Sequence, residues 1–165
     1  MEELSKLVNK KIYKSPSDLK HFRDECKKED LKVVFTNGCF DLLHLGHLSY
    51  LSQARALGDR LIVGVNSDTS VSKLKGPDRP IKSQDERLVH LAILSMVDAV
   101  IVFNEDTPAR LIKNIQPDIL VKGGDYKPEE VVGKDWVEQH GGQVVILSFL
   151  DGYSTTQLVN KIKLL

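Results

Sequence analysis

Residues 32–47 read KVVFTNGCFDLLHLGH, a β-branched run that passes without a break into a glycine-punctuated turn carrying His44 and His47. Lys32–Thr36 is short, continuous and Val-rich, as expected of a strand covered on both faces in a parallel sheet. Beyond His47, Leu48, Leu51 and Ala54 recur at helical spacing. A strand that turns directly into a helix is the repeating unit of a doubly wound fold, and the chain repeats it. Leu61–Asn66, Ala99–Phe103, Asp118–Val121 and Gln143–Ser148 are further Val- and Ile-rich runs.

Helical stretches separate these runs. Ser83-Gln84-Asp85-Glu86 has the form of a capping box opening a helix that runs to about Ser95. Thr107 before Pro108 reads as an N-cap with proline at the first helical position, and Pro117 ends that helix. A last helix opens near Ser154, with Leu158, Ile162 and Leu165 on one face. Ser17–Lys28 forms a helix ahead of the first strand, and the residues before it read as a mobile arm. The expected fold is therefore α/β: a Rossmann-like, doubly wound, five-stranded and mostly parallel sheet with helices on both faces. Residues 1–165 read as a single domain, 1–30 an arm and helix and 31–165 the core. In such sheets ligands bind beyond the carboxyl ends of the strands, where strand order reverses.

Composition narrows the class of partner. The 165 residues suit one ordinary domain, and 41% hydrophobic residues supply its core. Lys and Arg number 23, as do Asp and Glu, so the charge balances to zero. That disfavours nucleic acid, which calls for a basic excess. No run reaches the 18 or so apolar residues of a membrane span, and MEELSKLVNK is too polar for a secretory signal. Cys26 and Cys39 lack metal-ligand spacing and are too few for a disulfide scaffold. A reduced, soluble, cytoplasmic protein is expected.

The turn after the first strand is neither of the two best-known phosphate loops: the chain has no G-x-G-x-x-G there and no G-x-x-x-x-G-K-[ST] anywhere. It offers two imidazoles three residues apart at a helix N-terminus, where free N–H groups and the helix dipole favour a phosphate. Gly46 between them lets a phosphate approach the backbone. His44 and His47 would then donate to phosphoryl oxygens, as neutral imidazoles if the dipole lowers their pKa values. Other readings stand beside this one. A zinc site lacks an evident third ligand, since His21, His90 and His140 lie elsewhere. Both histidines could be structural, and Cys39 as a nucleophile lacks a triad. Ser154 and Thr155 suit simple capping as well as anion binding.

Gly38-x-Phe40-Asp41-x-x-His44-x-Gly46-His47 resembles the first motif of the cytidylyltransferase-like nucleotidyltransferase superfamily. Gly152-Tyr153-Ser154-Thr155-Thr156 resembles its second, in which a Ser-Thr pair opens the last helix. Between them, Val65-Asn66-Ser67-Asp68, a loop with Lys73, Lys75, Gly76, Arg79 and Pro80, and Lys122-Gly123-Gly124-Asp125-Tyr126 are similar to the heptose 1-phosphate adenylyltransferases. The similarity runs from about Lys11 to Lys163. With no sugar-kinase domain in the chain, a stand-alone enzyme is expected. The glycerol 3-phosphate cytidylyltransferases share both motifs but typically carry R-T-E-G before the second; here that stretch is Phe149-Leu150-Asp151-Gly152.

The resemblance implies transfer of AMP from ATP to a heptose 1-phosphate, giving ADP-heptose and pyrophosphate, for lipopolysaccharide or other surface glycans. It implies catalytic roles for His44, His47, Lys73 and Lys75. Nucleotide contacts would come from Thr36, Asn37, Gly38, Phe40, Gly46, Arg87, Lys122, Gly123, Gly124, Asp125, Ser154, Thr155 and Thr156, besides the two histidines. Asp41, Asp68, Lys75 and Asp125 would hold the acceptor. Mg²⁺ would ride on the phosphates without protein ligands, and the assembly would be a homodimer acting on small molecules. A nucleotide-sensing module on the same fold is the non-enzymatic alternative.

Overall fold

A computed structural model describes residues 2–124, 127–150 and 152–164, apart from the side chains of Ser5, Pro128 and Lys163. The elements run in the order α1 (Glu2–Asn9), β1 (Ile12–Tyr13), α2 (Pro16–Lys28), β2 (Val33–Gly38), α3 (Leu45–Arg55), β3 (Arg60–Asn66), α4 (Asp68–Lys75), α5 (Gln84–Ala92), β4 (Ala99–Phe103), α6 (Ala109–Ile115), β5 (Ile119–Gly123), a 3₁₀ turn (Pro128–Glu130), α7 (Lys134–Gln139), β6 (Gln143–Leu147) and α8 (Thr155–Lys163). The strands form one sheet in the order β1-β4-β3-β2-β5-β6, every pairing parallel. Strand order reverses between β2 and β5, which opens the crevice where such sheets bind ligands.

Two apolar clusters cover the two faces. Val34, Leu61, Val63, Val65, Val100 and Val121 pack beneath Tyr50, Leu51 and Ala54 of α3 and Leu88, Leu91 and Ala92 of α5. Val33, Phe35, Ile62, Ile101 and Leu120 pack beneath Leu19 and Cys26 of α2, Leu111, Ile112 and Ile115 of α6, and Val137 of α7. The continuous apolar runs thus serve both faces at once, as parallel strands require.

The sheet has six strands among the described residues where the sequence suggests five. The addition is β1, two residues at the edge, with Ile12 opposite Val100 and Tyr13 opposite Ile101. Instead of a mobile arm, residues 2–13 form α1 and this strand. Val8 is buried in the core, and Lys11 Nζ donates to the carbonyls of Leu94 and Val97 at 3.1 and 2.7 Å. A second difference concerns Lys73 and Lys75, which lie on α4 rather than a loop. Ser67 caps that helix by accepting from Ser70 N, and Gly76 ends it at φ +98°. A third is the N-cap of α6, which is Pro108 and not Thr107. The capping box at Ser83 is present in both directions, and α5 ends at Ala92, three residues short of the expected Ser95. No helix among the described residues is long and apolar enough to cross a membrane.

Candidate active site

At the carboxyl ends of β2 and β5 lies a pocket of about 470 Å³. The first motif supplies Asn37, Gly38, Cys39, Phe40, Asp41 and His47 to its wall, and Thr155 comes from the start of α8. The two motifs touch: a Cβ built on Gly46 would stand 3.0 Å from His44 Nδ1 and 3.1 Å from Tyr153 Cβ. Stretches about a hundred residues apart in the sequence therefore meet at one helix N-terminus, that of α3.

His44 is the N-cap of α3 in an extended conformation, at φ −139°. Its ring stacks on that of His47, centroids 3.9 Å apart and planes 23° apart. Phe40 supports His47 from another side at 5.3 Å, and holds the unusual φ of +47°. Non-glycine residues rarely adopt that region, and strain of this kind gathers at functional loops. Burial lowers the His47 pKa to about 4, and the adjacent His44 and Lys75 add to the fall. The Leu42 backbone opposes the shift. Burial lowers His44 as well. Both Nδ1 atoms are buried without a hydrogen-bond partner, a state that native sites keep where a ligand or water completes the set.

Cations and carboxylates divide by place. Lys75 lines the pocket, whereas Lys73 is 63% exposed and pairs with Asp106 at 3.5 Å on the rim. Lys122 donates to Asn37 Oδ1, and burial brings its ammonium down to about 8. Asp41 is 2% exposed. It accepts from Arg79 Nε at 2.6 Å and from the backbone N–H groups of Ile81 and Lys82 at 2.8 Å each. Burial alone would raise the Asp41 pKa, but those two N–H groups and the guanidinium outweigh it and hold the carboxyl below its ordinary value. Asp41 thus fastens the 79–82 segment to the first motif.

Arg87 is 0% exposed. It donates to Cys39 O at 2.6 Å, Lys82 O at 3.0 Å and Asp68 Oδ1 at 2.8 Å. The structure therefore turns this expected nucleotide contact inward, to hold the loop that bears Cys39, and engages Asp68 with it. Thr36 is likewise fully buried, sharing a 2.6 Å hydrogen bond with Tyr50 Oη. Ser154 accepts from Gln157 N at 3.1 Å as the N-cap of α8, and Thr156 is exposed. Gly123 and Gly124 lie under Phe149, whose ring atoms would come within 2.5 and 2.8 Å of a Cβ at the two positions. Asp125 lies outside the described residues.

Sequence reasoning assigns no role to Tyr50, Arg79 or Phe149. Tyr50 carried a usable signal, since it sits three residues beyond His47 on the same helix face. It donates to Val121 O at 3.3 Å and so ties α3 to β2 and β5. A second hollow, about 460 Å³, opens at the opposite end of the strands beside Arg23, Lys27 and Asp118. It gathers neither motif, and Arg23 is spent on Gln116 O and Asp118 Oδ1.

Comparison with known proteins agrees with the geometry. A family model described as cytidylyltransferase-like matches residues 35–161. The chain is 60% identical over 130 residues to the bifunctional protein HldE of Syntrophotalea carbinolica, an overlap covering 79% of this chain and 26% of that protein. It is 56% identical over 151 residues to the bifunctional protein HldE of Haemophilus influenzae, covering 92% and 32%. The chain thus spans about a quarter to a third of the length of these curated relatives. Among solved structures, the lipopolysaccharide core biosynthesis protein from Thermoplasma volcanium is 32% identical with a TM-score of 0.61, covering 75% of this chain and 99% of that one. Pantoate-beta-alanine ligase from Francisella tularensis, 14% identical with a TM-score of 0.56, shares the fold; the match covers 94% of this chain and 78% of that one.

Proposed function

The chain belongs to the cytidylyltransferase-like family, and from that premise we propose that it transfers AMP from ATP to a heptose 1-phosphate, releasing pyrophosphate and forming ADP-heptose. The observation that carries this reading is the meeting of His47 and Thr155 on one pocket wall, with Gly46 against Tyr153. The identity to HldE proteins directs the choice of acceptor.

An oxygen of the sugar 1-phosphate attacks the α-phosphorus, and the bond to the bridging oxygen breaks as pyrophosphate leaves with the electron pair. The nucleophile is already anionic, so no base is needed. Positioning and charge neutralisation are what the protein supplies. His47, neutral with a pKa of about 4, serves as an N–H donor to the α-phosphate. His44 extends the donor set, and Lys75 offsets charge on the leaving group. Thr155, with Ser154 and the α8 N-terminus behind it, receives the outer phosphates. ATP would enter as its Mg²⁺ complex, with the ion carried on phosphate oxygens and needing few protein ligands. Asp41 and Arg87 hold the loop that presents these groups.

The balanced charge and two free cysteines support a small-molecule enzyme of the cytoplasm, working as a homodimer as its resemblance implies. Pyrophosphate release, measured with ATP and D-glycero-β-D-manno-heptose 1-phosphate, tests the reaction. Release from CTP and glycerol 3-phosphate instead would replace it with the cytidylyl reading. Nucleotide binding with no release from any sugar or polyol phosphate would point to a sensing module.

A further inference from the structure

The sheet separates the pocket into two walls. On β2, Val34 faces the α3 side while Val33 and Phe35 face the α6 side. Strand alternation therefore sends Thr36 toward α3 and Asn37 toward α6. β5 repeats the pattern: Val121 faces α3 and Leu120 faces α6, so Lys122 projects with Asn37. The hydrogen bond from Lys122 Nζ to Asn37 Oδ1 confirms that placement. It bridges the gap between β2 and β5 on the face opposite His47. Asp106, Thr107, Glu130 and Val131 complete that wall.

In-line displacement fixes what the second wall is for. With the triphosphate tail on His47 and Thr155, pyrophosphate leaves on that side, and the attacking oxygen must arrive from the other. We infer that Lys122, held by Asn37, receives the phosphate of the acceptor rather than the nucleotide, and that Asp106 and Glu130 accept from its sugar hydroxyls. This assignment rests on the AMP-transfer reading above. A dianionic phosphate suits a half-buried ammonium, whose burial penalty it offsets. Carboxylates suit a polyol, because each accepts two hydroxyl donors. The wall thus selects a polyhydroxylated phosphate, while the opposite wall handles ATP.

Steady-state pyrophosphate release by Lys122→Gln, with each substrate varied in turn, tests the assignment alongside calorimetric binding of α,β-methylene-ATP. Loss of one charge-assisted hydrogen bond should raise the KM for heptose 1-phosphate roughly ten- to a hundredfold. Binding of the ATP analogue should stay within about twofold, a change too small to report a lost ionic contact. Lys122→Arg should recover part of the acceptor KM. Weakened analogue binding with an unmoved acceptor KM would overturn the inference and return Lys122 to the nucleotide. Equal loss on both substrates, with Lys122→Arg no better than Lys122→Gln, would reduce the residue to structural support and overturn it too. Wild-type failure on heptose 1-phosphate is a separate result that sinks the reaction itself; should glycerol 3-phosphate then be the acceptor, the same KM comparison on it decides the fate of the inference.

Discussion

The imidazoles of His44 and His47 stack at 3.9 Å, nearly parallel, with both Nδ1 atoms buried and unpaired. Two cations could not share that geometry at low cost, and burial of His47, reinforced by His44 and Lys75, accordingly puts its pKa near 4. The unfolded chain takes up this proton near the ordinary value of about 6.5, so it binds more protons than the folded one between the two values. Stability should therefore fall as pH drops from about 6.5 to about 4, by roughly 2–3 kcal/mol from this group, and level off below. Urea unfolding across that range should show a weaker acid dependence for His47→Asn. An unchanged slope would mean that the ring titrates normally in the folded protein.

His47→Ala should lower turnover by roughly 10² or more, the scale of removing one oriented donor from a developing phosphoryl charge. Circular dichroism should stay native. Near-normal turnover in a folded variant would remove His47 from the chemistry.

The two lysines of α4 should separate cleanly. Lys75 faces the pocket, while Lys73 is spent on an exposed pair with Asp106. Such surface pairs contribute little. Lys75→Ala should therefore reduce kcat by roughly 10² and Lys73→Ala by less than about threefold, as expected when only one charge faces the reacting phosphates. The reverse order in a kinetic comparison would contradict the placement of α4.

Arg87 is a structural prediction. Its guanidinium is fully buried and ties Cys39 O, Lys82 O and Asp68 together. Arg87→Ala strands two carbonyls, and unfolding in urea should register a loss of about 2–4 kcal/mol. Full stability combined with weakened ATP-analogue binding would instead restore the nucleotide contact that the sequence suggests.

The contrast between Arg87 and Ser83 shows which features a sequence carries. The Ser83 capping box is local, four residues long, and appears as expected. The strands β2 to β6 are legible because each is a continuous Val- and Ile-rich run, the pattern of parallel strands that carry apolar side chains on both faces. Strand β1 is two residues long and owes its existence to β4, so nothing in Ile12-Tyr13 alone announces it. Asp41 meets Arg79 across 38 positions and Arg87 meets Cys39 across 48; such pairings have no spacing rule. Gly76 and Pro80 suggest a loop for the lysines of α4, whereas the Ser67 cap starts a helix that Gly76 only ends. The two motifs were visible, but their contact through Gly46 and Tyr153 is a property of the folded sheet alone.

That contact yields the sharpest test. A methyl group at position 46 would stand 3.0 Å from His44 Nδ1 and 3.1 Å from Tyr153 Cβ, both tighter than ordinary van der Waals contact. Gly46 sits inside the first turn of α3, where alanine is the better helix former by up to about 1 kcal/mol. Gly46→Ala thus pits a local gain against displacement of the histidine and of the segment leading into α8. Global stability should change by less than about 1 kcal/mol, because these opposing terms are of similar size. Turnover should fall roughly tenfold or more, since a shift of about 1 Å at a reacting centre is enough to disturb alignment. A thermal melt and a pyrophosphate assay on the same preparation separate the two effects. Unimpaired turnover would show that the second motif need not press against the first for catalysis.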